Sequence, residues 1–193
     1  AVLKILEQKK LVNDLPKVVM LENVSGFLTS HGGKDVAQTV KVLSELGFVI
    51  DIIELDAALF TPQSRPRVFL IAVEEAIATR LMYVKKADNL FDSWWQKFDE
   101  QPKLRSAKLK KLIASHEDLN WGLLDIPLPE PRTATLTDII EHDIPDDSSL
   151  WWSDDRKNHL FAQMNPAHQA KLQAMMDNRF FSYGTVFRRM RAG

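Results

Sequence analysis

Apolar residues in the first third of the chain follow two kinds of pattern. Near-helical spacing predicts helices over residues 2–12 and 35–46, and Gly47 ends the second. Continuous apolar runs predict buried strands over residues 18–21, 48–55 and 67–74. The last run is apolar on both faces, so it belongs in the middle of a sheet rather than at its edge. A succession of strand, helix and strand is typical of an α/β domain.

The pattern changes after residue 74. Shorter apolar stripes predict helices over residues 92–98, 106–115 and 166–176. A proline-rich and an acidic segment separate them, over residues 126–136 and 144–155. We therefore place a domain boundary near residue 75, with an α/β part before it and a mostly helical, irregular part after it.

Composition limits the classes of protein that fit. The 193 residues are 45% hydrophobic with a net charge of −1, which is typical of a folded globular chain. No apolar run approaches the roughly 18 residues of a membrane span, and no signal peptide is recognisable, so we expect a cytoplasmic protein without membrane contact. The absence of cysteine excludes disulfides and a cysteine nucleophile within these residues. The five histidines lack metal-ligand spacing, so no metal site is predicted.

An acidic residue and an amide follow the first predicted strand. In open α/β sheets, ligands bind beyond the carboxyl ends of the strands, and Glu22 falls at that end. A partly desolvated carboxylate there is suited to carrying a proton, and Asn23 is suited to binding the loop backbone. The alternative is a structural role, in which Glu22 faces water or caps the following loop.

Two arginines stand at the start of the third predicted strand. Arg65 and Arg67 are two positions apart, and Pro66 favours extended backbone before it, so we expect both side chains on one side. A guanidinium is always charged, and its fork suits the oxygens of phosphate, carbonyl or carboxylate groups. The alternative is a surface pair that bonds backbone carbonyls or a structural acid such as Glu54 or Asp56.

The two sites form one pocket if the third strand runs antiparallel beside the first. Under that condition Arg67 lies next to Glu22, because the start of one strand meets the end of the other. A proton donor beside a fixed cation suits a neutral heterocycle that offers a ring nitrogen and a carbonyl oxygen.

The order and spacing of these residues resemble a known family. Residues 22–24, Glu-Asn-Val, are similar to a motif of the cytosine-5 DNA methyltransferases, and residues 62–69, PQSRPRVF, are similar to their Gln-x-Arg-x-Arg motif. The resemblance implies that residues 1–75 are the second half of the catalytic domain, the C-terminal part of a Rossmann-like S-adenosylmethionine-dependent methyltransferase sheet. It also implies that residues 76–193 are a variable region leading into a truncated target-recognition domain.

The resemblance implies a reaction and a role for each residue. In this family a cytosine is flipped out of the duplex, a cysteine thiolate attacks ring carbon six, and a methyl group from S-adenosyl-L-methionine goes to carbon five. Glu22 matches the glutamate that bonds the N3 edge and the amino group, and Arg67 matches the arginine that contacts O2. Arg65 matches its partner near the adduct. Asn23 would hold the loop of the glutamate, and Gln63 would bind substrate or support the motif.

Parts of the family pattern are absent from this sequence. It has neither the Pro-Cys motif nor the Gly-rich cofactor motif, and residues 59–61, Leu-Phe-Thr, replace an aromatic-Gly-aliphatic run. It also begins inside a predicted helix without an initiator Met. We therefore expect part of a bacterial or phage restriction-modification enzyme that is inactive alone and holds S-adenosyl-L-methionine mostly outside this chain. Its expected partners are double-stranded DNA and the missing N-terminal half or another subunit.

Basic residues mark candidate contacts to DNA phosphates. Residues 103–111 contain five Lys or Arg, among them Lys108 and Lys110. Arg188 and Arg189 form a second basic group. For the first group, a solvated helix face is the alternative.

Two other classes of function stay open at this point. One is a non-catalytic subunit that binds DNA or a partner, or a remnant of a split methyltransferase. The other is an unrelated doubly wound domain that carries similar motifs by chance.

Overall fold

A computed structural model describes residues 1–85 and 93–178, and the chain divides into two compact units, Ala1–Thr133 and Ala134–Gly193. The first unit contains, in chain order, α1 (Val2–Leu11), β1 (Val18–Val24), α2 (Lys34–Glu45), β2 (Phe48–Asp56), β3 (Pro66–Glu74), α3 (Glu75–Leu81), β4 (Met82–Val84), α4 (Ser93–Asp99), α5 (Ala107–Ala114) and β5 (Gly122–Leu124). The described part of the second unit contains α6 (Asp154–Ala162) and α7 (Pro166–Met176).

The main sheet has the strand order β1-β3-β2, and β3 is antiparallel to both neighbours. The central position expected for the third strand is therefore confirmed. β1 and β2 run in the same direction, but β3 separates them, so the strand-helix-strand succession does not give adjacent parallel strands. The mixed α/β class is confirmed, whereas the assignment to the C-terminal part of a Rossmann-like sheet stays a prediction.

The core lies on the face of the sheet that α2 covers. Val36, Val40 and Leu43 occupy one stripe of α2 because they are four and three positions apart, and all three are fully buried. They belong to one cluster with alternate residues of the strands, among them Ile50 and Leu70. Each such side chain contributes roughly 1.5–3 kcal/mol by leaving water, so this stripe fixes the helix on the sheet.

Gly47 ends α2 and starts the turn into β2. Its φ is 93°, a left-handed value that costs glycine little, and its N–H donates to the carbonyl of Ser44 at 3.0 Å. The helix therefore stops one residue earlier than predicted, and the following strand begins at Phe48 as predicted.

The first unit extends well beyond residue 75. β4 and β5 pair antiparallel as a second, two-stranded sheet, and α4 and α5 supply Trp94 and Leu109 to the main core. The compact unit thus ends at Thr133, whereas the sequence analysis placed a boundary near residue 75. The assignment of residues 1–75 and 76–193 to functional regions of an enzyme stays a prediction.

A buried ion pair fastens the later segment to β2. Asp51 and Arg105 are 2% and 3% exposed, and Arg105 Nη2 lies 2.5 Å from Asp51 Oδ2. The backbone of Leu124 joins this group, since its N–H donates to Asp51 Oδ2 at 2.9 Å and its carbonyl accepts from Arg105 at 3.0 Å. Burial raises the pKa of the Asp51 carboxyl, and Arg105 opposes that shift. Neither residue was singled out in the sequence.

Helices of the second part agree only partly with the sequence patterns. The helix predicted over residues 166–176 has the same bounds in the structure, and Asn165 caps it by accepting from the N–H of His168 at 2.9 Å. The helix expected over residues 92–98 is seen from Ser93 to Asp99, and residue 92 lies outside the described residues. The helix α6 was not predicted.

Candidate active site

The site begins with a contact between neighbouring strands. β1 pairs with β3 so that Glu22 lies opposite Phe69 and Val24 lies opposite Arg67, which places Glu22 and Arg67 diagonally on one face. Arg67 Nε donates to Glu22 Oε1 at 2.8 Å. The antiparallel pairing that the sequence analysis gave as a condition is thus observed, and with it the proximity of Glu22 and Arg67.

The environment of Glu22 differs from the expected one. β1 continues to Val24, so Glu22 lies within the strand rather than beyond its end. Its side chain is 54% exposed, whereas that of Arg67 is 19% exposed. The Glu22 side chain is therefore more exposed in the described structure than the partly desolvated carboxylate expected from the sequence.

Of the other polar side-chain atoms in this pair, Arg67 Nη1 has a hydrogen-bond partner in the described structure, whereas Arg67 Nη2 and Glu22 Oε2 do not. Arg67 Nη1 donates to the carbonyl of Pro66 at 2.8 Å, which restrains the guanidinium from a second side. Within the described part of the chain, Arg67 Nη2 and Glu22 Oε2 have no hydrogen-bond partner. A donor and an acceptor thus remain available side by side, an arrangement that complements a ligand edge with one carbonyl oxygen and one amino group.

Asn23 lies on the opposite face of the strand. Its Oδ1 accepts from the backbone N–H of Val24 at 2.8 Å, so its contact is with β1 itself and not with the loop after it. The role predicted for Asn23, holding the loop of the glutamate, stays a prediction.

The loop from 57 to 65 carries Gln63 and Arg65, and Asp56 organises it. Asp56 Oδ1 accepts from the N–H of Ala58 at 2.9 Å and from the N–H of Arg65 at 2.6 Å, and Oδ2 accepts from the Ser64 hydroxyl at 2.8 Å. These bonds, that from Ala58 most strongly, lower the pKa of the Asp56 carboxyl below its ordinary value. Sequence reasoning considered Asp56 only as a partner for a guanidinium, whereas it binds the backbone of Arg65.

The two arginines are held differently. Arg65 and Gln63 are exposed, and their side chains have no hydrogen-bond or ion-pair partner among residues 1–85 and 93–178. Arg67 is fixed by Glu22 and by a backbone carbonyl. Glu54 does not pair with either arginine, and its Oε2 is buried without a partner in the described structure.

The basic residues of the two candidate groups differ in their surroundings. Lys110 Nζ lies 2.5 Å from Asp99 Oδ2 and 5.4 Å from the ring centre of Trp95, so it is already engaged. Lys108 is exposed and has no ion-pair partner in the part of the chain that is described. Arg105, from the same basic stretch, is buried and unsuited to DNA. Arg188 and Arg189 lie outside the described residues.

Two further findings concern the described residues alone. Residues 1–85 and 93–178 contain no cluster of three or more His, Asp or Glu side chains with the geometry to hold a metal ion. None of their helices has the length and apolar character that a bilayer-spanning helix needs.

Comparison with known proteins assigns the family. The model of the C-5 cytosine-specific DNA methylase family matches residues 1–189. The chain therefore belongs to this family, as the two motifs around Glu22 and Arg67 indicated.

Individual relatives are methyltransferases of bacteria and phages. The Type II methyltransferase M.PspPI of Psychrobacter sp. (strain TA137) is 38% identical over 72 residues, which are 36% of this chain and 17% of that protein. The orphan methyltransferase M.SPBetaI of Bacillus phage SPbeta is 25% identical over 162 residues, which are 83% of this chain and 32% of that protein. The chain thus spans about a third of the length of the phage relative.

The family uses S-adenosylmethionine in general. A cavity of about 260 Å³ lies beside Asn23, between the start of α1, β1 and β3. Apart from Asn23 and Thr39 it is lined by apolar side chains, and no charged side chain reaches it. A cofactor with a sulfonium, an ammonium and a carboxylate requires polar and charged partners. This cavity therefore does not fit S-adenosylmethionine.

Proposed function

We propose that this chain supplies the cytosine-binding side of a DNA (cytosine-5-)-methyltransferase. Such an enzyme transfers a methyl group from S-adenosylmethionine to C5 of a cytosine flipped out of duplex DNA. The observation that carries the proposal is the 2.8 Å contact between Glu22 and Arg67, since it unites the two family motifs across 45 positions of sequence.

The pair offers groups that complement one edge of cytosine. Glu22 Oε2 would accept from the exocyclic amino group, or, when protonated, donate to N3. Arg67 Nη2 would donate to O2. A ring that gains negative charge during attack at C6 is stabilised by both groups, because a donor at N3 and a cation at O2 oppose that charge. Arg65, which is exposed, would approach the same base or its phosphate.

The rest of the chemistry requires other residues. The 193 residues contain no cysteine, so we propose that the attacking thiolate comes from outside this sequence. We propose the same for most of the S-adenosylmethionine site, since the cavity beside Asn23 has no charged side chain to hold the cofactor. The partner that supplies both would be the N-terminal half of the enzyme, on the same or another polypeptide.

The proposed setting follows from the substrate and the relatives. Double-stranded DNA is the partner, and Lys108, Arg188 and Arg189 are candidates for its phosphates, with Lys110 less favoured because Asp99 already binds it. Several relatives are named Type II methyltransferases, which supports a restriction-modification role. Such a protein would act in the cytoplasm of a bacterium, where the DNA is.

A non-catalytic subunit is the second candidate function. The absence of cysteine from the 193 residues favours it, since a chain without the nucleophile can still bind DNA or a partner. Activity after combination with a polypeptide that carries a Pro-Cys motif would support the catalytic proposal. DNA binding without activity in that mixture would favour the second candidate.

The complete enzyme that contains these residues tests the proposal through Glu22→Gln. We expect turnover to fall by at least about 100-fold, because the amide cannot exchange a proton with N3 as a carboxyl group does. The measurement is the steady-state rate of methyl transfer to duplex DNA. Glu7→Gln, an exposed glutamate on α1, is the control and should keep the normal rate. An unchanged rate in Glu22→Gln would refute the role assigned to Glu22.

A further inference from the structure

We infer that Asp56 is a positioning residue, whose carboxylate fixes the loop from 57 to 65 so that Arg65 meets the flipped base. The inference depends on the proposed function and adds a residue that does not itself touch the cytosine. Three contacts of one side chain carry it, at the point where β2 ends and β3 begins.

The first contact reinforces the junction of the two strands. β2 pairs with β3 up to Asp56, which lies opposite Pro66. Just beyond this pair, the N–H of Ala57 donates to the carbonyl of Arg65 at 3.3 Å, which is long for such a bond. The N–H of Arg65 donates to Asp56 Oδ1 at 2.6 Å. The side chain thus adds a shorter bond to the backbone bond that joins the strand ends.

The other contacts close the loop on itself. Oδ1 also accepts from the N–H of Ala58 at 2.9 Å, at the start of the loop, and Oδ2 accepts from the hydroxyl of Ser64 at 2.8 Å, near its end. The carboxylate therefore joins both ends of the loop. Hydrogen bonds to an ionised carboxylate are about twice as strong as neutral ones. The lowered pKa of Asp56 agrees with an ionised group at neutral pH.

Arg65 depends on this carboxylate more than Arg67 does. The guanidinium of Arg67 is held by Glu22 and by the carbonyl of Pro66. The side chain of Arg65 has no partner in the described structure, so only its backbone determines where the guanidinium points. Exposed loops without such restraints are mobile. Loss of the Asp56 carboxylate should therefore free Arg65 while the Glu22–Arg67 contact persists.

The test compares two DNA duplexes that differ at one position. One has the target cytosine and the other has an abasic site there. The affinity of the complete enzyme for the cytosine duplex, divided by its affinity for the abasic duplex, reports capture of the base. We expect Asp56→Ala to weaken binding of the cytosine duplex about tenfold relative to the abasic duplex, equivalent to about 1.4 kcal/mol. Asp56→Asn keeps an oxygen for the two N–H groups and should restore most of the ratio.

Ser64→Ala is the matched control for the loop. It removes one of the three contacts but neither backbone bond, and we expect the ratio to change by less than about twofold. Asp56→Glu keeps the charge but displaces the carboxylate. It replaces Asp56→Ala as the test variant if Asp56→Ala does not fold. We expect this variant to lower the ratio about threefold or more.

The outcomes separate this inference from the proposed function. Equal loss of affinity for both duplexes in Asp56→Ala, or an unchanged ratio in Asp56→Glu, would show a purely structural role and overturn the inference. Arg67→Ala is measured in parallel and should also lower the ratio. If Arg67→Ala lowers the ratio and the Asp56 variants do not, only the inference fails. If Arg67→Ala leaves the ratio unchanged, the proposed function fails and the inference fails with it.

Discussion

At the residue scale, the contact between Glu22 and Arg67 is not explained by stability. An exposed ion pair contributes about 0–1 kcal/mol, and Glu22 is more than half exposed. A guanidinium fixed by a carboxylate and a carbonyl loses little freedom when it binds a ligand. The arrangement therefore suits recognition better than folding.

The variant Arg67→Ala separates these two effects. We expect the free energy of unfolding to fall by only about 1–2 kcal/mol, because Glu22 is half exposed and the loss is mainly the packing of the Arg67 side chain. We expect trapping of a DNA that contains a mechanism-based fluorinated cytosine to fall strongly in the complete enzyme, because a donor to O2 is lost. Covalent-complex yield and thermal unfolding are the measurements. Arg80→Ala, an exposed arginine on α3, should change neither, and normal trapping in Arg67→Ala would contradict the account.

At the element scale, the ion pair between Asp51 and Arg105 joins β2 to the segment before α5. Both side chains are buried, and the backbone of Leu124 completes their hydrogen bonds. Removal of one partner would leave an uncompensated charge in the core.

The variant Arg105→Ala tests this joint. We expect the free energy of unfolding to fall by about 3–5 kcal/mol, because Asp51 stays buried without its cation. Lys108→Ala, three residues on but exposed, should change it by less than about 0.5 kcal/mol. Denaturant unfolding of the same protein preparations gives both values. Equal stabilities of the two variants would show that the pair does not hold the segment.

The pattern of apolar residues was informative for the longer elements. It predicted α2 because apolar residues recur there at helical spacing. It predicted the central place of β3 because that strand is a continuous apolar run. β4 and β5 are three residues each, too short for any period to be visible. α6 was missed because no apolar stripe marks it, although Ser153 and two aspartates of the first turn were a readable start signal.

The site was predictable in part for a related reason. Glu22 and Arg67 stood out because their motifs join apolar strands, and antiparallel pairing then brought them together. β1 continues past Leu21 through two residues of low strand propensity because β3 pairs with them, a tertiary effect that a local pattern does not contain. The partner of Arg105 lies 54 positions away, and no local signal identifies it.

At the scale of the whole molecule, the chain belongs to the C-5 cytosine-specific DNA methylase family and spans about a third of its phage relative. In the described structure β1 has a neighbour on one side only, and Val18, Met20 and Val24 on it are 48%, 65% and 53% exposed. An exposed apolar strand of this kind favours association with other chains.

We expect the isolated 193-residue chain to transfer no methyl group to duplex DNA, because it has no thiolate nucleophile. Incorporation of labelled methyl groups from S-adenosylmethionine is the measurement. Combination with a polypeptide that carries the Pro-Cys and Gly-rich motifs should restore the activity. Activity of the chain alone would show that another residue type serves as the nucleophile.

The central claim is that Glu22 and Arg67 act together on one flipped cytosine. The most direct measurement is the single-turnover methylation rate of the complete enzyme with Glu22→Gln, Arg67→Ala and both changes. Groups that hold the same base are not independent, so we predict that the double variant is about as slow as the slower single variant. Rate losses that multiply in the double variant would show that the two residues act separately, and would contradict the account.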